Sequence, residues 1–239
     1  MRITLALAVA GLIRALLALP SQTIFQNIPD DAYRIPTVHE SAVMARRILH
    51  LSTLGTLSTI FPASTSTQEI RPSDVSGTAI GLVDYIADCE HATGNPTILA
   101  LDIATSFKNV AAGSNISLSL NWVPPSGQVR SPASLPRFSL QGYLEDVSAA
   151  EAAEHAIPAC FAKYHPDARA RYPGNRIHSS RWTRLVVQEV YWIGGFGDRA
   201  FIGWIPVREW RNVTREEVRD CVLPGEEKRT TWMEWFGFR

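Results

Sequence analysis

Apolar and polar positions are most informatively arranged between Arg181 and Val207. Two runs dense in β-branched and aromatic residues, 182–193 and 201–207, flank Gly194-Gly195-Phe196-Gly197, a pattern that predicts a long β-hairpin. Strict alternation puts Leu185, Val187, Tyr191 and Ile193 on one side of the first run and Trp182, Val186, Val190 and Trp192 on the other. Both faces are then apolar. Such a strand is expected to be covered twice, in the wall of a closed barrel or under a second layer or a partner subunit.

Elsewhere the period shifts between 3.6 and 2. Thr37-Val38-His39-Glu40 has the form of a capping box, and Ala42, Ala45, Ile48 and Leu49 follow at helical spacing to near His50. Strands are predicted over 54–61, 79–87, 97–102, 116–123 and 137–147, with a short helix over 104–112. Within 137–147, Phe138, Leu140 and Leu144 alternate with Arg137, Ser139, Gln141 and Glu145, and Gly142 on the apolar side predicts a bend or a close approach. Ser148-Ala149-Ala150-Glu151 opens a helix that Pro158 should kink and His165-Pro166 should end. Thr214-Arg215-Glu216-Glu217 opens a last short helix, and the Ser/Thr/Pro-rich segments 62–77 and 124–136 are loops. The order predicts a mainly β fold with flanking helices (α+β), an antiparallel barrel of six or seven strands whose ends the helices plug.

Composition narrows the class. Seven Trp within a 46% hydrophobic chain exclude disorder. Residues 1–20 hold Arg2, Arg14 and no acid, so 21 of the 23 basic residues remain beyond them against 23 acids, which argues against a nucleic-acid partner. The apolar run 3–13 is too short to span a bilayer of roughly 30 Å and has the form of a signal peptide (1–20), cleaved between Ala18 and Thr23. The remaining segments are an extended leader (21–36), the barrel domain (37–212), and a C-terminal helix with an aromatic tail carrying Trp232, Trp235, Phe236 and Phe238 (213–239). No membrane span is expected once the leader is removed. Asn115-Ile116-Ser117 and Asn212-Val213-Thr214 are glycosylation sequons, Asn212 being the better placed. Cys89, Cys160 and Cys221 allow one disulfide with one thiol, or none. If a bridge forms, Cys89 with Cys221 is the preferred pair, with Cys160 in the core.

Candidate chemistry is sparse. Gly195-Phe196-Gly197-Asp198-Arg199-Ala200 matches a dinucleotide fingerprint, but a strand rather than a helix follows it, so its glycines are assigned to the hairpin loop. His39, His50, His91, His155, His165 and His178 are scattered, and no Cys/His spacing suits zinc, so neither a catalytic triad nor a metal site is expected. Ser106 and Lys108 on the short helix could meet a phosphate, and Arg169, Arg171, Arg176, Arg181 and Arg184 an anion; solvated surfaces are the ordinary account of both.

Five stretches carry a resemblance, in order over about residues 38–212: Gly55-Thr56-Leu57-Ser58-Thr59; Thr105-Ser106-Phe107-Lys108-Asn109-Val110 with Asn115-Ile116-Ser117-Leu118-Ser119-Leu120; Arg137-Phe138-Ser139-Leu140-Gln141-Gly142; Tyr164-His165-Pro166; and Gly194-Gly195-Phe196-Gly197. Together they resemble the CREG-like branch of the pyridoxamine 5'-phosphate oxidase-like split β-barrels. The resemblance implies a homodimer, with a flavin mononucleotide (FMN) cleft at the subunit interface in enzymatic relatives. Animal members are secreted or endolysosomal glycoproteins not known as flavin enzymes, and they carry a late sequon where Asn212 stands. By position, Ser106 and Lys108 fall where flavin-binding relatives contact phosphate, and Trp182 and Arg184 fall near their late-strand Trp and basic residue. Gly81-Leu82-Val83-Asp84-Tyr85 lacks the arginine of their phosphate-binding strand. The resemblance therefore implies a secreted or lysosomal/vacuolar glycoprotein without cofactor, acting on an unknown protein or glycan partner. The alternative is an FMN-dependent oxidoreductase whose phosphate is held by Ser106, Lys108 and Arg184. A haem-handling relative is a third reading, for which no histidine is a persuasive axial ligand.

Overall fold

The computed structural model describes residues 34–63, 71–125 and 131–226. The segment expected to be a signal peptide, most of the expected leader, the middles of both Ser/Pro loops and the aromatic tail lie outside the described residues.

Helix α1 (Val38–Leu51) starts where the capping box places it. The Thr37 hydroxyl accepts the Glu40 N–H at 3.2 Å and Glu40 accepts the Thr37 N–H at 2.7 Å, satisfying two N-terminal donors reciprocally. Its buried face, Ala42, Ala45, Ile48 and Leu49, joins the main core. The strands are β1 (Leu54–Ile60), β2 (Ala79–Glu90), β3 (Asn95–Leu101), β4 (Ile116–Asn121), β5 (Arg137–Asp146), β6 (Ser180–Ile193) and β7 (Ile202–Ile205). The short helix α2 (Thr105–Ala111) joins β3 to β4.

Hydrogen bonding runs β3-β2-β1-β4-β5-β6-β7, and β3 also pairs with β6. Six antiparallel strands thus close a barrel, as the alternating segments predict, and β7 lies outside the ring. Closure removes the open edges that a flat sheet would leave. On one side β6 pairs with β5; on the other its start, 180–184, takes β3, and its end, 190–193, takes β7. Leu57, Ile86, Ile98, Leu118, Leu140, Leu185, Val190 and Trp192 fill the interior.

Strict alternation along β6 fails at one point. Gly142 pairs with Val187 but Gln141 pairs with Glu189, so Gln188 is an extra residue. This β-bulge exchanges the faces beyond it. Leu185, Val187, Val190 and Trp192 all point into the core, while Tyr191 turns outward, which corrects the face assignment made from sequence. Gly142 permits the bulge: a Cβ there would lie 2.0 Å from the Val186 carbonyl oxygen.

The first half of β6 is covered twice, as expected. Outside the wall, α3 (Ala149–Glu154) and α4 (Ile157–Tyr164) bury a second cluster of Ala87, Leu99, Ala152, Ile157, Phe161 and Trp182. Pro158 does not kink one helix. The chain breaks at Ala156, with φ +50°, and Pro158 stands in the first turn of a new one, where its missing N–H costs nothing. Cys160 on α4 is disulfide-bonded to Cys89 on β2. The preferred Cys89–Cys221 pair is therefore wrong: Cys221 ends α6 (Arg215–Asp220) and packs against the main core, whereas α4 lies directly over β2. Between β7 and α6 lies the short helix α5 (Val207–Arg211). In the hairpin loop, Gly195 has φ +143° and lies where a Cβ would be 2.9 Å from the Ser134 carbonyl oxygen, so these glycines do serve the turn. Among the described residues, no helix is long and apolar enough to cross a membrane.

Candidate functional site

The outward residues of four neighbouring strands form a shallow cleft of about 260 Å³. Across the sheet, Thr56 on β1 faces Ser119 on β4, Ser119 faces Ser139 on β5, Ser139 faces Tyr191 on β6, and Tyr191 faces Trp204 on β7. Small hydroxyls keep the floor low. Ser119 and Ser139 share a hydrogen bond of 3.3 Å, and the Gln141 amide donates to Ser139 at 3.0 Å. Tyr191 forms one wall, backed by Trp204 with ring centroids 5.0 Å apart. Asn121, Arg137 and Ile193 line the far end. The Arg137 guanidinium reaches back to the carbonyl oxygens of Ala133 and Leu135 at 3.4 and 3.5 Å. Apolar walls with a few convergent polar groups are what a small-molecule pocket needs.

The four residues placed by resemblance lie elsewhere. Ser106 is buried in the first turn of α2, and Lys108 projects from its exposed side. Trp182 is packed between Phe161 and Tyr172, with ring centroids at 5.0 and 4.7 Å. Arg184 is held by three carboxylates: Nε donates to Glu90 at 2.7 Å, Nη1 to Glu145 at 2.9 Å, and Nη2 to Glu151. Desolvation works against the Arg184 charge, but the Glu151 and Glu90 bonds outweigh it and hold its pKa above the ordinary value. None of the four lines the cleft. Three carboxylates around one guanidinium leave the locality net negative, so it would repel a phosphate.

Cleft residues Thr56, Ser119, Ser139 and Tyr191 escaped the sequence reading because each looks like an ordinary outward strand position. The signal that could have found them is the density of hydroxyls at alternate positions of β1, β4 and β5. Both sequon asparagines are exposed, Asn115 just before β4 and Asn212 at the end of α5.

The family model described as CREG, beta-barrel matches residues 36–212. The chain belongs to the CREG β-barrel family. Among solved structures, the heme binding protein from Mycobacterium smegmatis resembles this CREG barrel with a TM-score of 0.53 at 21% identity. That match covers 74% of this chain and 61% of the other, so this chain spans about three fifths of that protein's length. HutZ from Vibrio cholerae, the heme storage protein, is more distant, with a TM-score of 0.45 at 12% identity over 66% of this chain and 95% of that one. No curated protein sequence matches the chain. The Mycobacterium match shows a shared barrel fold, and the fold by itself leaves the activity open.

Proposed function

We propose that this CREG-family chain is a glycoprotein of the secretory pathway, secreted or held in a lysosome or vacuole, that acts by binding rather than turnover. The observation that carries the reading is the state of Arg184. Its three carboxylate partners and the burial of Trp182 leave no formed phosphate cradle at the positions matched to flavin-binding relatives. FMN does not fit those four residues.

Three features support the compartment: the Cys89–Cys160 disulfide suits an oxidising environment, both sequon side chains are exposed, and the sequence opens with a leader-like run. A homodimer is part of the reading. Val83 at one end of a row on the outer face, and Tyr191 with Trp204 at the other, stand exposed on either side of the hydroxyl floor, large apolar groups of the kind a second subunit covers. The partner class is a protein or a glycan.

A second reading has its own support in the cleft, where hydroxyls, Tyr191 and Arg137 would suit a flat conjugated ligand of the flavin or haem type. The name of the Mycobacterium neighbour is consistent with this reading, which makes the chain a ligand carrier or an FMN-dependent oxidoreductase. The visible absorption of the purified full chain, titrated separately with FMN and hemin, separates the two. The binding-only reading expects no saturable signal. A saturable signal lost in Arg137→Ala would overturn it and place the ligand in the cleft; one lost in Lys108→Ala would place the phosphate at α2.

A further inference from the structure

We propose that His50, Asp88 and His91 form a binding site for a divalent transition-metal ion of the zinc class. Their spacing conceals it, because the fold brings together the last turn of α1, the end of β2 and the turn that follows. Between Ala87 and Glu90 the β2–β3 register slips by one residue, so Asp88 and Cys89 sit in a β-bulge. Bulges re-aim side chains. Here the Asp88 carboxylate meets both rings: Oδ2 lies 3.0 Å from His50 Nδ1 and 2.8 Å from His91 Nδ1.

Metal geometry is nearly in place. One donor atom from each residue lies within 4.8 Å of the others. Bonds of about 2.0 Å in a tetrahedral zinc site put its ligand atoms about 3.3 Å apart. The two carboxylate–imidazole pairs need only to open slightly, and the imidazoles to close by at most about 1.5 Å toward that spacing. Rotation of the rings can supply this, since the His50 and His91 side chains are 38% and 25% exposed. The same exposure leaves room for water to complete the coordination. Two imidazoles, one carboxylate and an open position are a donor set that zinc and other first-row ions accept.

A purely structural trio explains the site less well. Asp88 is almost fully buried, yet both histidines approach one oxygen and its Oδ1 has no hydrogen-bond partner. A buried carboxylate serving packing alone would use both oxygens. The surroundings also fix the ligands. Arg46 donates to the His91 carbonyl oxygen at 2.6 Å and to that of Trp210 at 3.0 Å, and the Tyr164 hydroxyl donates to the His50 carbonyl oxygen at 3.2 Å. The Arg46 guanidinium charge opposes a second cation, so the expected affinity is weaker than that of closed structural zinc sites. None of the three ligands lines the outer cleft, so this site stands apart from the function proposed above.

The test uses the folded full chain, stripped with chelator and titrated with Co2+ for its visible bands and with Zn2+ by calorimetry. One ion per chain is expected. His50→Gln and His91→Gln should each weaken binding by more than the roughly 10–100-fold that loss of an outer ligand partner costs. Failure of the wild type to take up either ion, or uptake that survives either substitution, overturns the proposal. Independently of any variant, Co2+ should broaden the ring resonances of His50 and His91 first among the six histidines; prior broadening at another histidine would also overturn it.

Discussion

The side-chain oxygen of Asn95 lies 3.0 Å from the backbone nitrogen of Val187 and accepts its N–H. On the same residue, the Val187 carbonyl accepts from Arg211 at 3.2 Å. Both contacts fall where β6 has left β3 and not yet met β7, so two side chains stand in for a missing strand. Buried backbone groups left unpaired cost free energy, and this is how the barrel wall splits without that cost.

Asn95→Ala removes the acceptor and strands a buried donor. We expect a loss of about 1–3 kcal/mol in denaturant unfolding, with the m-value unchanged. Arg211→Ala should cost less, because the Arg211 side of the contact is exposed and water can take the place of the guanidinium. Equal losses from the two would mean that the Asn95 contact is not specially placed.

Gly142 is the complementary device. With a Cβ 2.0 Å from the Val186 oxygen, Gly142→Ala must either undo the bulge or push β5 and β6 apart. We expect a loss of about 1–3 kcal/mol or more, and altered fluorescence from Trp192, since the bulge sets which residues beyond it face inward. Unchanged stability and emission would show that the bulge does not depend on glycine.

These two residues mark the limit of what was legible in the chain. Local chemistry is written plainly: Thr37 with Glu40 and Thr214 with Glu217 form the capping boxes their spacing suggests. So is the strand content, because period-2 alternation survives in β5. Face assignment beyond Gln188 was not legible, since an inserted residue is invisible to a rule that counts by two. The candidate site fared likewise. Arg184 stands on β6 among apolar strand residues, but its character comes from Glu90, Glu145 and Glu151 on three other elements. His50 and Asp88 meet only because α1 and β2 are packed together. Such contacts depend on closure of the barrel, which no local window contains.

The Cys89–Cys160 bond closes a loop across a sequence separation of 71 residues. In the chain-entropy account a loop of this size stabilises by about 4 kcal/mol. Cys89→Ala with Cys160→Ala should therefore lower the melting temperature sharply. Cys221→Ser should do little, since burial pushes that thiol up to about 11 and keeps it unreactive. Peptide mapping without reduction is the direct check, and a bridged Cys221 peptide would count against the pairing.

His39 fastens α1 to the two helices after the barrel, its Nδ1 3.1 Å from Glu209 and its Nε2 2.9 Å from Glu217. The Glu217 hydrogen bond raises the His39 pKa, desolvation opposes it, and the Glu209 bond adds to the rise. Glu217 is drawn down to about 2, first by the Thr214 backbone N–H and then by His39. The signs differ. A raised histidine contributes its full stability below the unfolded value of about 6.5 and loses it as pH climbs through the folded value. A depressed carboxyl contributes above about 4.3 and loses its contribution as pH falls toward 2. Chemical-denaturation midpoints should thus decline above about pH 6.5 in the wild type, and His39→Gln should flatten that limb while leaving most of the acid limb. An alkaline limb of unchanged slope in His39→Gln would assign the pH dependence to another group.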